Sequence, residues 1–140
     1  MLKRVAALSL AAAAAGCMSY MDDDPPPAGP SMQTVRAEAR LAQELRDKRP
    51  GRPQSCITRF EADRMSTVGD RTIVFRASPG LVYVNEPAGG CPMEGASRRL
   101  ERRTIDTNLC RNEQLNVIDN ATGAYFGTCI LGDFVPYRSR

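Results

Sequence analysis

The chain has 140 residues, 19 basic against 16 acidic side chains, and neither histidine nor tryptophan. Without histidine there is no Ser-His-Asp or Cys-His nucleophile, no His-ligated metal and no imidazole pH switch, so any enzymatic reading rests on carboxylates, tyrosines or thiols. A charge this balanced implies no nucleic-acid partner.

Residues 1–16 read as a lipoprotein signal peptide. Lys3 and Arg4 precede an apolar run from Val5 to Ala15, broken only by Ser9, and Ala14-Ala15-Gly16 leads directly into Cys17. The run is too short for a membrane span, which needs about 20 residues, and has the layout of a removed targeting segment. Cys17 is the expected lipidation site and first residue of the mature chain. Cleavage after Ala13-Ala14-Ala15 is the alternative. Met18 stands where an aspartate would favour inner-membrane retention, so the expected location is the outer membrane, facing the periplasm. Loss of residues 1–16 leaves 17 basic and 16 acidic residues, of which Lys48 is the one lysine.

Residues 17–30 form the expected tether. Asp22-Asp23-Asp24 repels itself, and Pro25-Pro26-Pro27-Ala28-Gly29-Pro30 favours extended polyproline II geometry. Residues 31–49 predict a helix: Ser31 can cap it, and Val35, Ala39, Ala42 and Leu45 suggest its apolar stripe. Arg40–Glu44 and Glu44–Lys48 are candidate i,i+4 pairs. Pro50-Gly51-Arg52-Pro53 predicts a linker over 50–54.

The remaining unit, 55–137, predicts a mainly β fold: a small antiparallel barrel or sandwich of about six strands with two disulfides. Met65–Val68 and Arg71–Ala77 flank Gly69-Asp70, a two-residue hairpin link. Ser78-Pro79-Gly80 is a turn before Leu81–Asn85. Leu100–Ile105 is a weaker strand. Gln114–Asp119 and Ala124–Leu131 flank the Asn120-Ala121-Thr122-Gly123 turn. Residues 86–99, rich in proline and glycine, predict an irregular loop.

Cys56, Cys91, Cys110 and Cys129 are separated by successive gaps of 34, 18 and 18 residues, with no close pair of the kind that builds a zinc site. In an exported domain of this size an even count predicts two disulfides rather than a metal. Of three connectivities, Cys91–Cys110 with Cys56–Cys129 is preferred. The first would tie the irregular loop across the weak strand, and the second would close the start of the domain onto its last strand.

Several of these residues carry a resemblance: Cys56-Ile57, Gly69-Asp70-Arg71-Thr72-Ile73-Val74-Phe75, Asn85, Cys91-Pro92, Leu109-Cys110 and Cys129-Ile130-Leu131-Gly132-Asp133-Phe134-Val135-Pro136. The pattern resembles a family of small exported bacterial proteins known only as a domain of unknown function. It covers 56–136 and departs at Met93-Glu94-Gly95. The resemblance implies a domain boundary and a cysteine framework, and brings no catalytic or cofactor-binding residues.

Candidate chemistry is sparse. The carboxylates Glu61, Asp63, Asp70, Glu86, Glu94, Glu101, Asp106, Asp119 and Asp133 show no spacing that predicts a facing pair. Arg98, Arg99, Arg102 and Arg103 form the one charge cluster. As a strand, Arg98, Leu100 and Arg102 share one face, and Arg99, Glu101 and Arg103 the other. That is either a charged edge that discourages strand pairing or a contact for an anionic envelope component. The expected function is therefore a non-enzymatic envelope lipoprotein, binding or structural, without a cofactor, contacting the membrane through its lipid and an envelope protein or anionic component through its domain. An inhibitor or ligand-capture module presenting the Glu86–Ser97 loop is one alternative, and a carboxylate-based hydrolase another.

Overall fold

The computed structural model describes residues 29–93, 97–103 and 106–140. Cys17, the Asp22–Asp24 run, Glu94 and Ile105 lie outside them. The chain forms helix α1 (Met32–Leu45), strands β1 (Lys48–Pro50) and β2 (Cys56–Thr58), the single turn α2 (Arg59–Ala62), and then β3 (Met65–Val68), β4 (Thr72–Ser78), β5 (Leu81–Asn85), β6 (Arg98–Arg102), β7 (Asn108–Cys110), β8 (Gln114–Asp119), β9 (Tyr125–Ile130) and β10 (Phe134–Ser139). All pairings are antiparallel. One sheet runs β1-β10-β5-β4-β3, a second β6-β8-β9, and β2 pairs with β7. The sheets do not close, so the architecture is a sandwich rather than a barrel, with ten strands among the described residues where about six are legible in the sequence.

Between the layers lies one core. Ile73, Phe75 and Tyr83 from the large sheet meet Leu115, Val117, Cys129 and Leu131, with Ile57 and Leu109 from the two-stranded ribbon and Phe134 from β10. Phe75 and Phe134 meet edge to face at 5.5 Å between ring centroids. On the opposite face, Val68, Val74 and Val82 are covered by Ala37, Leu41 and Leu45 of α1. Coverage on both faces explains the uninterrupted burial of Ile73-Val74-Phe75: strands buried on both faces carry continuous apolar runs rather than an alternating pattern.

The helix docks on a different stripe from the one expected. Thr34, Ala37, Leu41, Glu44 and Leu45 are its half-buried residues, whereas Ala39 and Ala42 are exposed and Val35 is 43% exposed. Two polar residues complete the inward face, which an apolar count passes over. The Glu44 carboxylate takes the Arg76 guanidinium through Nε at 2.9 Å and Nη2 at 2.9 Å. It is thereby drawn away from Arg40, and Lys48 reaches the Glu44 carbonyl at 2.7 Å instead of its carboxylate. Thr34 lies over Gly69, where a Cβ would stand 2.9 Å from its methyl. Ser31 caps the helix as expected, accepting from the Thr34 amide.

Residues 50–54, expected as a linker, are tied to the sheet, and Lys48 and Arg49, expected in the helix segment, belong to β1. Lys48, Arg49 and Pro50 pair with Ser139, Arg138 and Tyr137, and Gln54 exchanges backbone bonds of 2.9 Å each way with Phe134. Pro50 is tolerated because β1 is an edge strand. The packed unit thus begins at α1 rather than at Ser55. The first hairpin also differs. Val68 faces Thr72, so three residues, Gly69-Asp70-Arg71, form the link, with Gly69 in the left-handed region at φ 62°. The second hairpin forms as read, with Asp119 Oδ1 accepting from the Ala121 and Thr122 amides and the Thr122 hydroxyl. Those bonds hold its carboxyl below the usual aspartate range, the Thr122 amide foremost. β6 starts two residues earlier than expected, at Arg98.

The disulfides are Cys56–Cys110 and Cys91–Cys129, not the preferred Cys56–Cys129 and Cys91–Cys110. β2 and β7 lie side by side with Cys56 directly opposite Cys110, Cα atoms 4.0 Å apart. The irregular loop crosses β9, where Ala88 bridges Ile130, and so Cys91 meets Cys129. On the loop-entropy estimate each closure contributes about 4 kcal/mol. Their environments differ: Cys56 is exposed, whereas Cys91 and Cys129 are buried. A mild dithiol acting on the native protein should free Cys56 and Cys110 first. Alkylation and mass mapping should recover both modified before any label appears on Cys91 or Cys129. Equal labelling of the two pairs would contradict this order.

Candidate functional site

The sequence motifs turn out to build the frame. Asn85 is fully buried. Its amide donates to the Gly132 and Asp133 carbonyls at 2.8 and 3.2 Å, and its Oδ1 accepts from the Gly132 amide at 3.0 Å. It stands in for a missing strand partner where β9 turns into β10. A Cβ on Gly132 would lie 2.5 Å from the Glu86 carbonyl, so that position admits glycine alone. Leu131 and Phe134 on either side are core residues. The Cys-x-Leu-Gly-x-Phe run is a corner.

Glu61 and Tyr83 form the most elaborate polar contact. The Tyr83 hydroxyl donates to Glu61 Oε1 at 2.8 Å, while Glu61 Oε2 accepts from the Thr58 amide at 2.7 Å in a capping box. Burial raises the Tyr83 pKa, with the Glu61 bond second. The Glu61 carboxyl is lowered although burial, its largest single influence, opposes this; the Thr58 amide, Tyr83 and Thr58 hydroxyl bonds together prevail. Since the tyrosine is almost fully buried, this pair pins α2 to the core and offers no reacting group to solvent.

Three other carboxylates are engaged separately. Asp133 pairs with Arg111 at 3.2 Å, Glu101 with Arg99 at 2.6 Å, and Asp119 caps its turn. Among the described residues no group of three or more Cys, Asp or Glu could hold a metal.

The Glu86–Ser97 loop lies against the body over its described part. Besides the Ala88 bridge and the Cys91–Cys129 bond, the Cys91 amide donates to the Asp70 carbonyl at 2.5 Å, and a Cβ on Gly90 would meet that oxygen at 2.7 Å. Residues 86–93 therefore fasten β9 to the first hairpin instead of projecting as an inhibitory loop would.

The arginine cluster divides as the strand pattern predicts. Arg98, Leu100 and Arg102 are half-buried, and Arg99, Glu101 and Arg103 are exposed. Arg98 stacks on Phe126, its Cζ 3.4 Å from the ring centroid, and donates to the Pro92 carbonyl. Arg102 donates to the Asn108 and Asp106 carbonyls at 2.9 and 3.2 Å. Arg103 reaches Gln114 at 2.7 Å. Two of the four thus fasten neighbouring segments, and the cluster forms an edge of its sheet.

The opposite edge of that sheet is unlike it. β9 carries no charge from Tyr125 to Ile130, and it exposes Tyr125 (62%), Phe126 (54%) and Ile130 (41%). Its strand partner is β8 alone. The Ile130 carbonyl points away from β8, toward Ala88. By the two-residue alternation of an antiparallel ladder, the Thr128 amide and carbonyl face the same side as the Ile130 carbonyl, where residues 88–92 border the strand, with Ala88 bridging Ile130 and Pro92 beside Gly127. The sequence contains this feature as Tyr-Phe-Gly-Thr-Cys-Ile, but an alternating strand does not disclose whether it sits at an edge.

No family model, curated protein or solved structure matches the chain. The described residues present one arginine-rich edge, one uncharged aromatic edge, and no group of three or more Cys, Asp or Glu placed to hold a metal.

Proposed function

We propose that this chain is a lipid-anchored envelope protein whose folded unit binds another protein and performs no catalysis. Cys17 carries the lipid, and residues 17–30 hold the unit off the periplasmic face of the outer membrane. The observation that supports binding is the β9 edge. Edge strands are normally protected by charge or proline, as β1 is by Lys48, Arg49 and Pro50, and β6 by its arginines. β9 carries neither within the strand and, although Ala88 bridges Ile130, Pro92 lies beside Gly127 and Arg98 stacks on Phe126, it still exposes three large apolar side chains. An extended, uncharged segment of an envelope partner could add to it, with backbone bonds supplying affinity and Tyr125, Phe126 and Ile130 supplying contact area.

Two measurements test the halves of this reading. Labelled palmitate should enter the protein in cells, and Cys17→Ala should abolish incorporation; a label that survives the substitution overturns the anchor. A photo-reactive residue at Thr128 should yield discrete protein adducts in intact cells. Tyr125→Lys, which puts a charge on the exposed edge face, should reduce those adducts about tenfold, corresponding to a hot-spot loss of at least about 1.4 kcal/mol. Its melting temperature should stay within a few degrees of the parent. Adducts undiminished by the lysine would remove β9 as the docking edge.

A further inference from the structure

The β1 edge of the large sheet carries a concentration of charge that the fold leaves unused. Of the ten residues 46–52 and 138–140, six are basic (Arg46, Lys48, Arg49, Arg52, Arg138 and Arg140) and Asp47 alone is acidic. This is a net +5 in a chain whose total is +3, so the rest of the molecule is net acidic. The two segments meet because β1 pairs with β10. Lys48 stands opposite Ser139, and Arg49 directly opposite Arg138. Arg46, Asp47, Ser139 and Arg140 line an open cleft of about 280 Å³ at the same corner. Apart from the half-buried Lys48 these basic residues are exposed. None of the six forms an ion pair among the described residues.

Two local reasons account for part of this charge. Lys48 and Arg49 guard an edge strand, and Lys48 bonds the Glu44 carbonyl near the end of α1. Neither reason covers Arg138, which sits on the inner strand β10 and faces Arg49. Like charges directly opposite each other on a ladder destabilise it, and a neutral residue at 138 would leave the edge equally guarded. Glu61 feels the Arg138 charge, but its two carboxylate oxygens are already taken by Tyr83 and Thr58. A self-repelling cationic strip without internal partners is suited to an anionic partner outside the fold.

We propose that this edge docks on the anionic phospholipid headgroups of the membrane that holds the lipid anchor. The choice of lipid rests on the reading of Cys17 as the anchor. Residues 17–30 span at most about 50 Å, and α1, with 14 residues, is about 21 Å long. The anchor can therefore lie beneath the far end of the helix, where the basic edge stands. Arg49 and Arg138 leave one face of the sheet and Lys48 the other, and their long stems let both sets reach a surface laid across the edge. Each arginine fork suits a phosphate. Single exposed contacts are weak and screened by salt, but a tethered unit meets the surface at an effective concentration in the millimolar range. Contact would give the unit a preferred orientation on the membrane.

The test is sedimentation of the chain from residue 17, carrying Cys17→Ser, with vesicles. Because this chain has no lipid, it reads the edge alone, whereas palmitate labelling reads the anchor alone. It should bind vesicles containing phosphatidylglycerol, not those of phosphatidylcholine, and should be released in 1 M salt, where screening acts within about 3 Å. Arg49→Gln with Arg138→Gln should weaken binding about 10- to 30-fold, the expected effect of two basic residues at an anionic surface. Arg36→Gln with Arg71→Gln removes the same charge near Gly69, where Thr34 meets the first hairpin, and should weaken binding less than about threefold. Since Arg49 and Arg138 repel each other, their replacement should leave the melting temperature unchanged or slightly raised, which separates lost docking from lost folding. No sedimentation with the anionic vesicles, or equal weakening by the two pairs of substitutions, overturns the proposal. Binding to soluble polyglutamate without binding to vesicles overturns it in favour of an acidic protein.

Discussion

Replacing Asn85 with leucine, whose side chain has the same branched shape, should lower the unfolding free energy by about 3 kcal/mol. The reason is the three backbone groups that Asn85 serves, the Gly132 amide and the Gly132 and Asp133 carbonyls. Leucine buries them without partners, and each such group costs about 1–3 kcal/mol. For a unit of this size the melting temperature should fall by about 12 °C or more. Gly132→Ala should act at the same corner for a steric reason, since the new methyl carbon would stand 2.5 Å from the Glu86 carbonyl. Calorimetry of both variants checks this. A leucine variant within about 1 kcal/mol of the parent would show that water or backbone adjustment reaches the corner.

A chain beginning at Gln54 should fail to reach a stable native state, even though it contains every motif in the sequence pattern. It lacks β1, and it lacks the α1 residues that cover Val68, Val74 and Val82. Exposing a buried valine costs about 1.5–3 kcal/mol, so the three together cost at least about 5 kcal/mol. A typical domain has only about 5–15 kcal/mol in all. Urea denaturation should show a broad, early transition, and the fragment should bind a hydrophobic dye. Leu41→Asp in the full chain provides a milder version, with the denaturation midpoint shifted down and the transition still cooperative. A truncated chain as stable as the full one would mean that α1 rests on the sheet without supporting it.

Much of the local structure was legible in the residues. Gly69, Pro79-Gly80 and Asn120–Gly123 mark real turns, since each supplies a backbone conformation or side-chain acceptor that a turn needs regardless of surroundings. Ser31 caps the first helix for an equally local reason. The β class, the strands from Met65 to Asn85 and the bonding of all four cysteines also follow from pattern and composition. So does the inward and outward division of the arginine strand, because the two-residue period is intrinsic to the backbone.

What lay beyond the sequence depends on which segments become neighbours. β2 and β7 are three residues each, too short to carry a period, and they exist because Cys56 and Cys110 are held face to face. The segment Phe134–Ser139 carries no strand prediction, with Pro136 and Arg138 in it, yet as β10 it becomes an inner strand between β1 and β5. Its proline is accommodated among long-range partners that no local window contains. The disulfide pairing departs from the expected one for the same reason: sequence separation sets only the entropy of closing a loop, whereas the ladder and the path of residues 86–93 decide which sulfurs meet. The stripe on α1 was misplaced because Thr34 and Glu44 face inward only when Gly69 and Arg76 are there to receive them. Likewise, the uncharged β9 and the arginine-rich β6 are ordinary strands in one dimension. Their standing as opposite edges of one sheet arises from tertiary packing, because an edge is defined by the absence of a neighbour in space and not by any residue along the chain.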